Sequence, residues 1–467
     1  MLAAAVLVGL AVPVVQALPS RAATPPQFND ADGIHVVAVT QIDPRQYNVK
    51  ITTPALGGAA HPVDVRILLP ADYDSAAATR YPVLYLYHGT SGRASDWVQM
   101  GDAEATTAPL ELITVMPDAG FNGNGGGWFT NWVDATTQLG PSQWETFHVG
   151  QLIPWIDANL HTIADRNGRA VAGLSQGGFG STTYPARHPD TFVSAASFSG
   201  APDIDYNPLT AAGATAIIQA TAVGLDGVQP DAMFGSRLTD EINWQGHDPA
   251  DLVTNLRPVD VWLYTATGAP GPLDPTPPNP GAQGIELATH GSTVSFYQRS
   301  LQQKVPVHFV DYVYGTHSWP YWARDLRQYV VPMMQTFANP PSAPAAISYQ
   351  SIDKSWSQWG WDVSLARPAT QQFSSLTDAG PNGFSVQGTG TAAIATPAFY
   401  SPGAVKTVTI RTLTGSSAVS ATADSAGRLH LSVPLGLDQV PGPIGSLAVM
   451  GLPGVPPSGT TATVTIH

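Results

Sequence analysis

Six compact apolar runs set the strongest constraint on what this chain can become. They are YPVLYLYH (81–88), LITVMPD (112–118), RAVAGLS (169–175), FVSAASFS (192–199), VDVWLYT (259–265) and VPVHFVDY (305–312). A strand with one wet face alternates apolar and polar residues. These runs do not, so they fit parallel strands covered on both faces. The segments between them carry helical spacing. In 144–160, Trp144, Phe147, Leu152, Trp155, Ile156 and Leu160 gather near one side, with Pro154 expected to distort the helix. Residues 176–187, 290–303 and 321–338 are further helix candidates. Strand and helix alternating over about 250 residues predict a doubly wound α/β sheet with a mostly parallel core. Short strands at 34–42, 47–53 and 63–69 come before it.

The character then changes. NPPSAPAA (339–346) is a polar, Pro-rich joint, and residues 347–467 are rich in Thr, Ser, Val and Gly. Runs such as FSVQG (384–388), VKTVTIRTL (405–413), RLHLSVPL (428–435) and TATVTI (461–466) predict a smaller all-β, sandwich-like domain with no helix. Its Trp356, Trp359 and Trp361 have two readings: a hydrophobic seam or core, or a platform for sugar or polymer.

Composition narrows the function classes. The net charge is −14, with 20 Lys+Arg against 34 Asp+Glu, and no basic stripe occurs, which argues against nucleic acid. With no cysteine there is no disulfide, thiolate nucleophile or Cys-ligated metal. Residues 2–18 form an apolar stretch followed by QALPSRAATPP, the pattern of a signal peptide cleaved after Ala17 or near Ala22–Ala23. No basic residue precedes Arg21, and an N-terminal anchor is the competing reading. No second long apolar segment stands out, so no stable transmembrane span is expected. The expected organisation is a signal peptide at 1–23, a first domain at 24–338, a linker at 339–346 and the β domain at 347–467.

The sharpest chemical signal is GLSQG (173–177), a match to G-x-S-x-G. Alone the pattern is weak, and a structural serine in a tight turn would also satisfy it. Here it closes the apolar run RAVAG and opens the helix candidate QGGFGSTTYPARHP, the strand–turn–helix setting of a nucleophile elbow. A serine hydroxyl needs a base, and the base an orienting carboxylate. In such a fold they follow in the order serine, acid, histidine. His317, in YGTHSWPYW (314–322), lies just after the last buried run and fits that order better than His88, His148, His161 or His188. For the acid, Asp274 in a Pro-rich loop and Glu286 in GIELATHG (284–291) stay in competition, Glu286 slightly ahead because it sits by the start of a helix candidate, with Asp248, before the strand, third. The two oxyanion amides are expected from Gln176 and from Thr90 in HGTSGRASDW (88–97). The loop AGFNGNGGGWFTNW (119–132) has no Walker lysine and reads as a site rim. Its Trp128, Phe129 and Trp132 line a channel or pack. No metal site is expected: Asp203 and Asp205 suit a surface turn, and no H-E-x-x-H or Cys cluster exists.

Three stretches carry a family likeness: VLYLYHGTSGRASDW (83–97), VAGLSQGG (171–178) and GTHSWPYWARDL (315–326). Over roughly residues 35–338 the chain resembles the secreted mycolyltransferases, or fibronectin-binding antigens, within the esterase D-like α/β-hydrolases. The resemblance implies an α/β-hydrolase fold with Ser175 as nucleophile, His317 as base and Glu286 as acid, which separates Glu286 from Asp274. It also implies Thr90 and Gln176 at the oxyanion hole, without cofactor; substrate contacts are expected from His88, Arg93, Trp97 and Trp319, and from Trp128 of the site-rim loop. The implied activity is transfer of a mycoloyl or other long acyl chain, outside the cell or at its envelope. Acylated trehalose or another lipid ester would be donor, and envelope glycan could meet the β domain. Hydrolysis of acyl esters is the alternative, and a non-catalytic glycan-binding protein a third reading. The chain departs from the family at His88, where an aspartate is usual, at QGG after the serine, and in its added Gly- and Trp-rich loop and β domain.

Overall fold

The computed structural model describes residues 24–367, 371–436 and 460–467. The expected signal peptide lies outside the described residues. The first unit is built on nine strands: β1 (His35–Gln41), β2 (Gln46–Thr52), β3 (Val63–Leu68), β4 (Val83–Tyr87), β5 (Ile113–Pro117), β6 (Arg169–Leu174), β7 (Ser194–Phe198), β8 (Asp260–Thr265) and β9 (Val307–Asp311). They form one sheet in the order β1-β2-β3-β5-β4-β6-β7-β8-β9. Every pairing from β5 to β9 is parallel, and β1, β2 and β3 join antiparallel at one side.

The apolar runs are continuous because each strand feeds two cores. Val83, Tyr85 and Tyr87 of β4 enter one, while Leu84 and Leu86 enter the other. The helices are α1 (Asp96–Gln99), α2 (Ala103–Thr107), α3 (Ile153–Asn159), α4 (Gln176–Arg187), α5 (Pro208–Thr221), α6 (Glu241–Gln245), α7 (Pro280–Gln302) and α8 (Trp319–Ala338). Trp155, Ile156, Phe179 and Tyr184 of α3 and α4 pack in the first core. Trp322, Leu326, Tyr329 and Met333 of α8 pack in the second. This is a mixed sheet with a mostly parallel core, the architecture of an α/β-hydrolase.

Three helices differ from the sequence expectation. The 144–160 helix is a π stretch, Thr146–Leu152, running into α3, and Pro154 sits in the first turn of that α segment. Longer π spacing ahead of the proline accommodates a residue that cannot donate. Helix α7 begins at Pro280, not 290, with Asn279 accepting from the amides of Gly281 and Ala282. Its glycines disguised it as loop. At Gly291 the backbone comes so close to the Tyr206 hydroxyl that a Cβ would collide. Helix α5 was not anticipated at all. With the π turn that follows, it makes Pro208–Asp226, the one helix among the described residues long and apolar enough, by length and composition, to cross a membrane.

Residues 339–346 have neither helix nor strand and lead into the second unit. Its six-stranded sheet has the order β10 (Ile347–Ser351), β13 (Ser374–Gly380), β14 (Gly383–Gly388), β19 (Thr460–Ile466), β16 (Val405–Thr412), β17 (Gly415–Thr422). A four-stranded sheet follows the order β11 (Ser355–Gln358), β12 (Trp361–Ala366), β15 (Thr391–Ala395), β18 (His430–Pro434). Leu376, Phe384 and Val464 of the first share one core with Trp361, Val363 and Leu431 of the second, as in a β-sandwich. The three tryptophans are absorbed by packing. Trp361 is core, Trp356 is buried against Tyr349, and Trp359 lies under the Arg166 guanidinium while its amide donates to Asp190.

Candidate active site

Between Ala170 and Arg187 every residue is buried except Ser175. The serine sits between β6 and α4 with φ 53° and ψ −121°, a left-handed conformation that a non-glycine residue holds only under constraint. The surroundings supply that constraint. The Ser175 amide donates to Phe198 O at the end of β7 (3.0 Å), and Phe179 N donates back to Ser175 O (3.1 Å). A Cβ on Gly173 would strike the Gly177 carbonyl, one on Gly177 the His88 carbonyl, and one on Gly178 would lie 2.6 Å from Gly200 Cα. The glycines of the motif are therefore needed for backbone-to-backbone packing, and the hydroxyl is pushed out above the strand ends.

Glu286 arrives from α7, buried to 1% exposure. Its Oε1 accepts from Ser199 Oγ (2.8 Å), Ala266 N (3.0 Å) and Thr265 Oγ1 (3.4 Å), and its Oε2 faces His317 Nδ1 at 2.9 Å. These contacts fix Glu286 at the ends of β7 and β8, one strand from Ser175. With Nδ1 held by the carboxylate, Nε2 of His317 is the nitrogen left without a hydrogen bond among the described residues. Trp322 stands edge-on to the imidazole, ring centres 4.9 Å apart. Asp274, the rival acid, is spent elsewhere: its carboxylate accepts from Gly271 N (2.7 Å), Tyr321 Oη (2.7 Å) and Thr316 Oγ1. Asp248 lies in a separate buried group with Asp203 and Asp205. That group already holds a protein cation, since Arg299 reaches Asp203 at 3.4 Å and also pairs with Asp251. Burial, then neighbouring carboxylates, raises the Asp248 pKa well above the carboxylate range.

Opposite the serine lies the turn 88–92. Thr90 is exposed at its tip, and Gly92 N donates to Gly89 O (3.0 Å). Gly125 of the Gly-rich loop rests on this turn, its Cβ position 2.6 Å from Gly89 O and 2.9 Å from Ser91 N. Gln176 opens α4, which places its amide at the positive end of the helix. The Gln176 side chain is buried with neither its oxygen nor its nitrogen hydrogen-bonded.

The five expected substrate contacts separate into two groups. His88 is buried: its Nε2 accepts from Ala119 N (2.9 Å), so its Nδ1 carries the proton given to Gly89 O (2.9 Å). Burial pushes its pKa down, keeping it neutral. Both nitrogens serve the backbone. Trp97 is core, its Nε1 donating to Tyr87 O (2.9 Å), and Trp128 is buried edge-on to Phe179. Arg93 is exposed and Trp319 half-buried, so these two remain accessible. Ser199 and Ala266 were not anticipated. The signal for Ser199 was its place directly after an apolar run, and its φ of 47° matches the strain at Ser175.

A family model described as "Putative esterase" matches residues 58–332, ending before the second unit. Esterase Rv1288 of Mycobacterium tuberculosis is 35% identical over 252 residues, 53% of this chain and 51% of that protein. The chain thus spans about half the length of that relative. The MPT51/MPB51 antigen of Mycobacterium bovis is 32% identical over 239 residues, 50% of this chain and 71% of the antigen. The diacylglycerol acyltransferase/mycolyltransferase Ag85A of Mycobacterium bovis is 30% identical over 280 residues, 56% of this chain and 76% of that protein. Among solved structures, Mycobacterium tuberculosis MPT51 aligns with TM-score 0.48 and 27% identity, over 61% of this chain and 96% of that one.

Proposed function

Because the chain belongs to this esterase family and is a serine-hydrolase enzyme, we propose that it is a carboxylesterase acting through an acyl–Ser175 intermediate on uncharged ester lipids. The observation that carries the reading is the 2.9 Å contact of His317 Nδ1 with a buried Glu286, at the strand ends where Ser175 alone breaks the buried run.

His317 Nε2 takes the Ser175 proton as Oγ attacks the ester carbonyl carbon. Glu286 holds the ring in the tautomer that leaves Nε2 basic, and stabilises the imidazolium that forms. The carbonyl π electrons move onto oxygen, where the amides of Thr90 and Gln176 receive the negative charge. Collapse breaks the bond to the alcohol, which leaves with the proton from His317. Water, deprotonated by the same nitrogen, then attacks the acyl–enzyme and returns Ser175 and the free acid. Ser175 has no hydrogen bond to His317 among the described residues, a contact that commonly tightens only with substrate bound.

A second reading is favoured by the 30% identity to Ag85A over 76% of that protein: an acceptor hydroxyl, not water, takes the acyl group, making the protein an envelope acyltransferase. Arg93 and Trp319 are the accessible residues we assign to the substrate, and His88 a bracing role. We place the protein outside the cytoplasm, in keeping with the leader pattern at 1–23. Wall glycan, where it is bound, is assigned to the groove across β11, β12, β15 and β18 lined by Ser357, Asp362 and His430.

A fluorophosphonate probe tests the nucleophile. Wild type should label and Ser175→Ala should not; equal labelling of both discards the assignment. Trehalose supplied with an acyl donor, and acylated sugar scored against free acid, separates transfer from hydrolysis.

A further inference from the structure

Helix α5 with its π turn is apolar on both sides: Ile218 and Ala222 enter the first core, yet the face turned to water is apolar as well. Its exposed positions follow helical spacing, and the side chains there are Leu209, Ala212, Ala216, Ile217, Ala220 and Val223, the rest being glycine or proline. Leu209 is 83% exposed, Ile217 55% and Val223 54%. The polar side chains Thr215, Gln219 and Thr221 flank or oppose that face and bond to protein, Thr221 Oγ1 donating to Ile217 O (2.9 Å). Thr215 Oγ1 donates to Ala211 O (2.7 Å) and accepts from Arg237 Nε (3.1 Å), and Gln219 Nε2 donates to Asp231 (2.8 Å). A surface helix of a globular unit normally shows water its polar side. A contiguous apolar face marks a docking site.

Two observations say what docks. First, no charged residue occurs between Asp205 and Asp226, although the chain carries a net −14. The face is neutral within an anionic protein, so it suits an uncharged, hydrocarbon-rich surface and not an anionic one. Second, the helix is continuous with the candidate site. Its π turn ends at Asp226, whose carboxylate lies directly on Gly126, while Asn124 Nδ2 donates to Leu225 O (2.8 Å). The neighbouring Gly125 rests on the 88–92 turn opposite Ser175.

We propose that the exposed face of α5 and its π turn seats the enzyme on the surface of an aggregated, uncharged ester lipid, laying roughly 28 Å of helix along it. The inference deepens the esterase reading and rests on it for the nature of the lipid.

The test uses the full chain with Leu209, Ile217 and Val223 all changed to Glu. Flotation with vesicles of an uncleavable diether phosphatidylcholine should retain wild type and lose the triple variant by about tenfold or more. Turnover of emulsified triolein should fall by a similar factor, and that of dissolved p-nitrophenyl butyrate by less than about twofold. If thermal melting shows that the glutamates unfold the chain, Leu209→Ala/Ile217→Ala/Val223→Ala carries the test, with a loss of about threefold expected. Equal flotation of wild type and variant overturns the proposal. So does wild-type flotation only on anionic vesicles, or a wild-type dimer that the variant dissociates while neither floats. Wild type that floats but fails to hydrolyse p-nitrophenyl butyrate overturns the esterase reading and leaves the docking face standing.

Discussion

The two ends of α4 are built on opposite principles. At its N-terminus, glycines bring backbones together and hold Ser175 in a strained turn, with no ion pair among the described residues and one residue left accessible. At its C-terminus, Arg187 is buried in a charge network. Its guanidinium meets Glu145 at 2.8 Å and Asp353 at 3.0 Å and donates to Gly246 O, while its own carbonyl accepts from Tyr349 Oη (2.7 Å) and Gln358 Nε2 (3.1 Å). Asp353, Tyr349 and Gln358 belong to the second unit, so the β domain holds the far end of α4. One end is arranged for reactivity and the other for rigidity. Changes at the first should alter rate with little effect on stability, and changes at the second the reverse.

Four measurements break or sharpen that contrast. Glu286→Gln should lower kcat for a soluble ester by about 10³-fold, because the amide favours the wrong imidazole tautomer, with the melting curve nearly unmoved. A near-normal rate would remove Glu286 from the site. Arg187→Met removes the permanent cation beside buried Glu145, leaving it His188 at 2.7 Å, and should cost about 3 kcal/mol in urea unfolding, with kcat of the folded fraction largely kept. Should that kcat collapse as well, the two ends are not separable.

The third concerns pH. Burial, then Arg187, pushes the His247 pKa from 6.5 down to about 4, so the folded state keeps this ring neutral. Burial raises Glu145, but Arg187 and His188 outweigh it and hold the carboxyl well below its usual range. Both groups contribute stability above their unfolded pKa values that is lost as pH falls. For His247 the window is 6.5 to about 4 and the loss about 3 kcal/mol at most. Denaturant titrations of His247→Gln across that window should be flatter than wild type. Identical slopes would place the acid sensitivity elsewhere. The smallest effect is expected from Tyr349→Phe, which removes one hydrogen bond to Arg187 O and should cost about 1 kcal/mol, read as a shifted urea midpoint with an unchanged rate.

What the sequence disclosed follows the same physics. Strands buried on both faces announce themselves, and all six apolar runs contain the strands β4 to β9. The serine was legible because its motif requires particular neighbours. Glu286 stands only slightly ahead of Asp274 without the family likeness: α7 holds three glycines in its first twelve residues, so its first ten residues look like loop. Helix α5 with its π turn escaped because it is apolar nearly all round, so no helical period stands out: Ile218 and Ala222 are core while Leu209, Ile217 and Val223 are exposed. The seam at Arg187 pairs residues 166 positions apart, which no local pattern encodes.

The position of β19 bears on how the chain is made. It lies between β14 and β16 in the six-stranded sheet, pairing with both, although it follows every other strand in sequence. A chain emerging N-terminus first presents β10, β13 and β14 on one side of a gap and β16 and β17 on the other until residues 460–466 arrive. Deleting Thr460–Ile466, or straining that strand with an insertion, would therefore divide the sheet through its middle. The groups that grip Arg187 would then hang on half a scaffold.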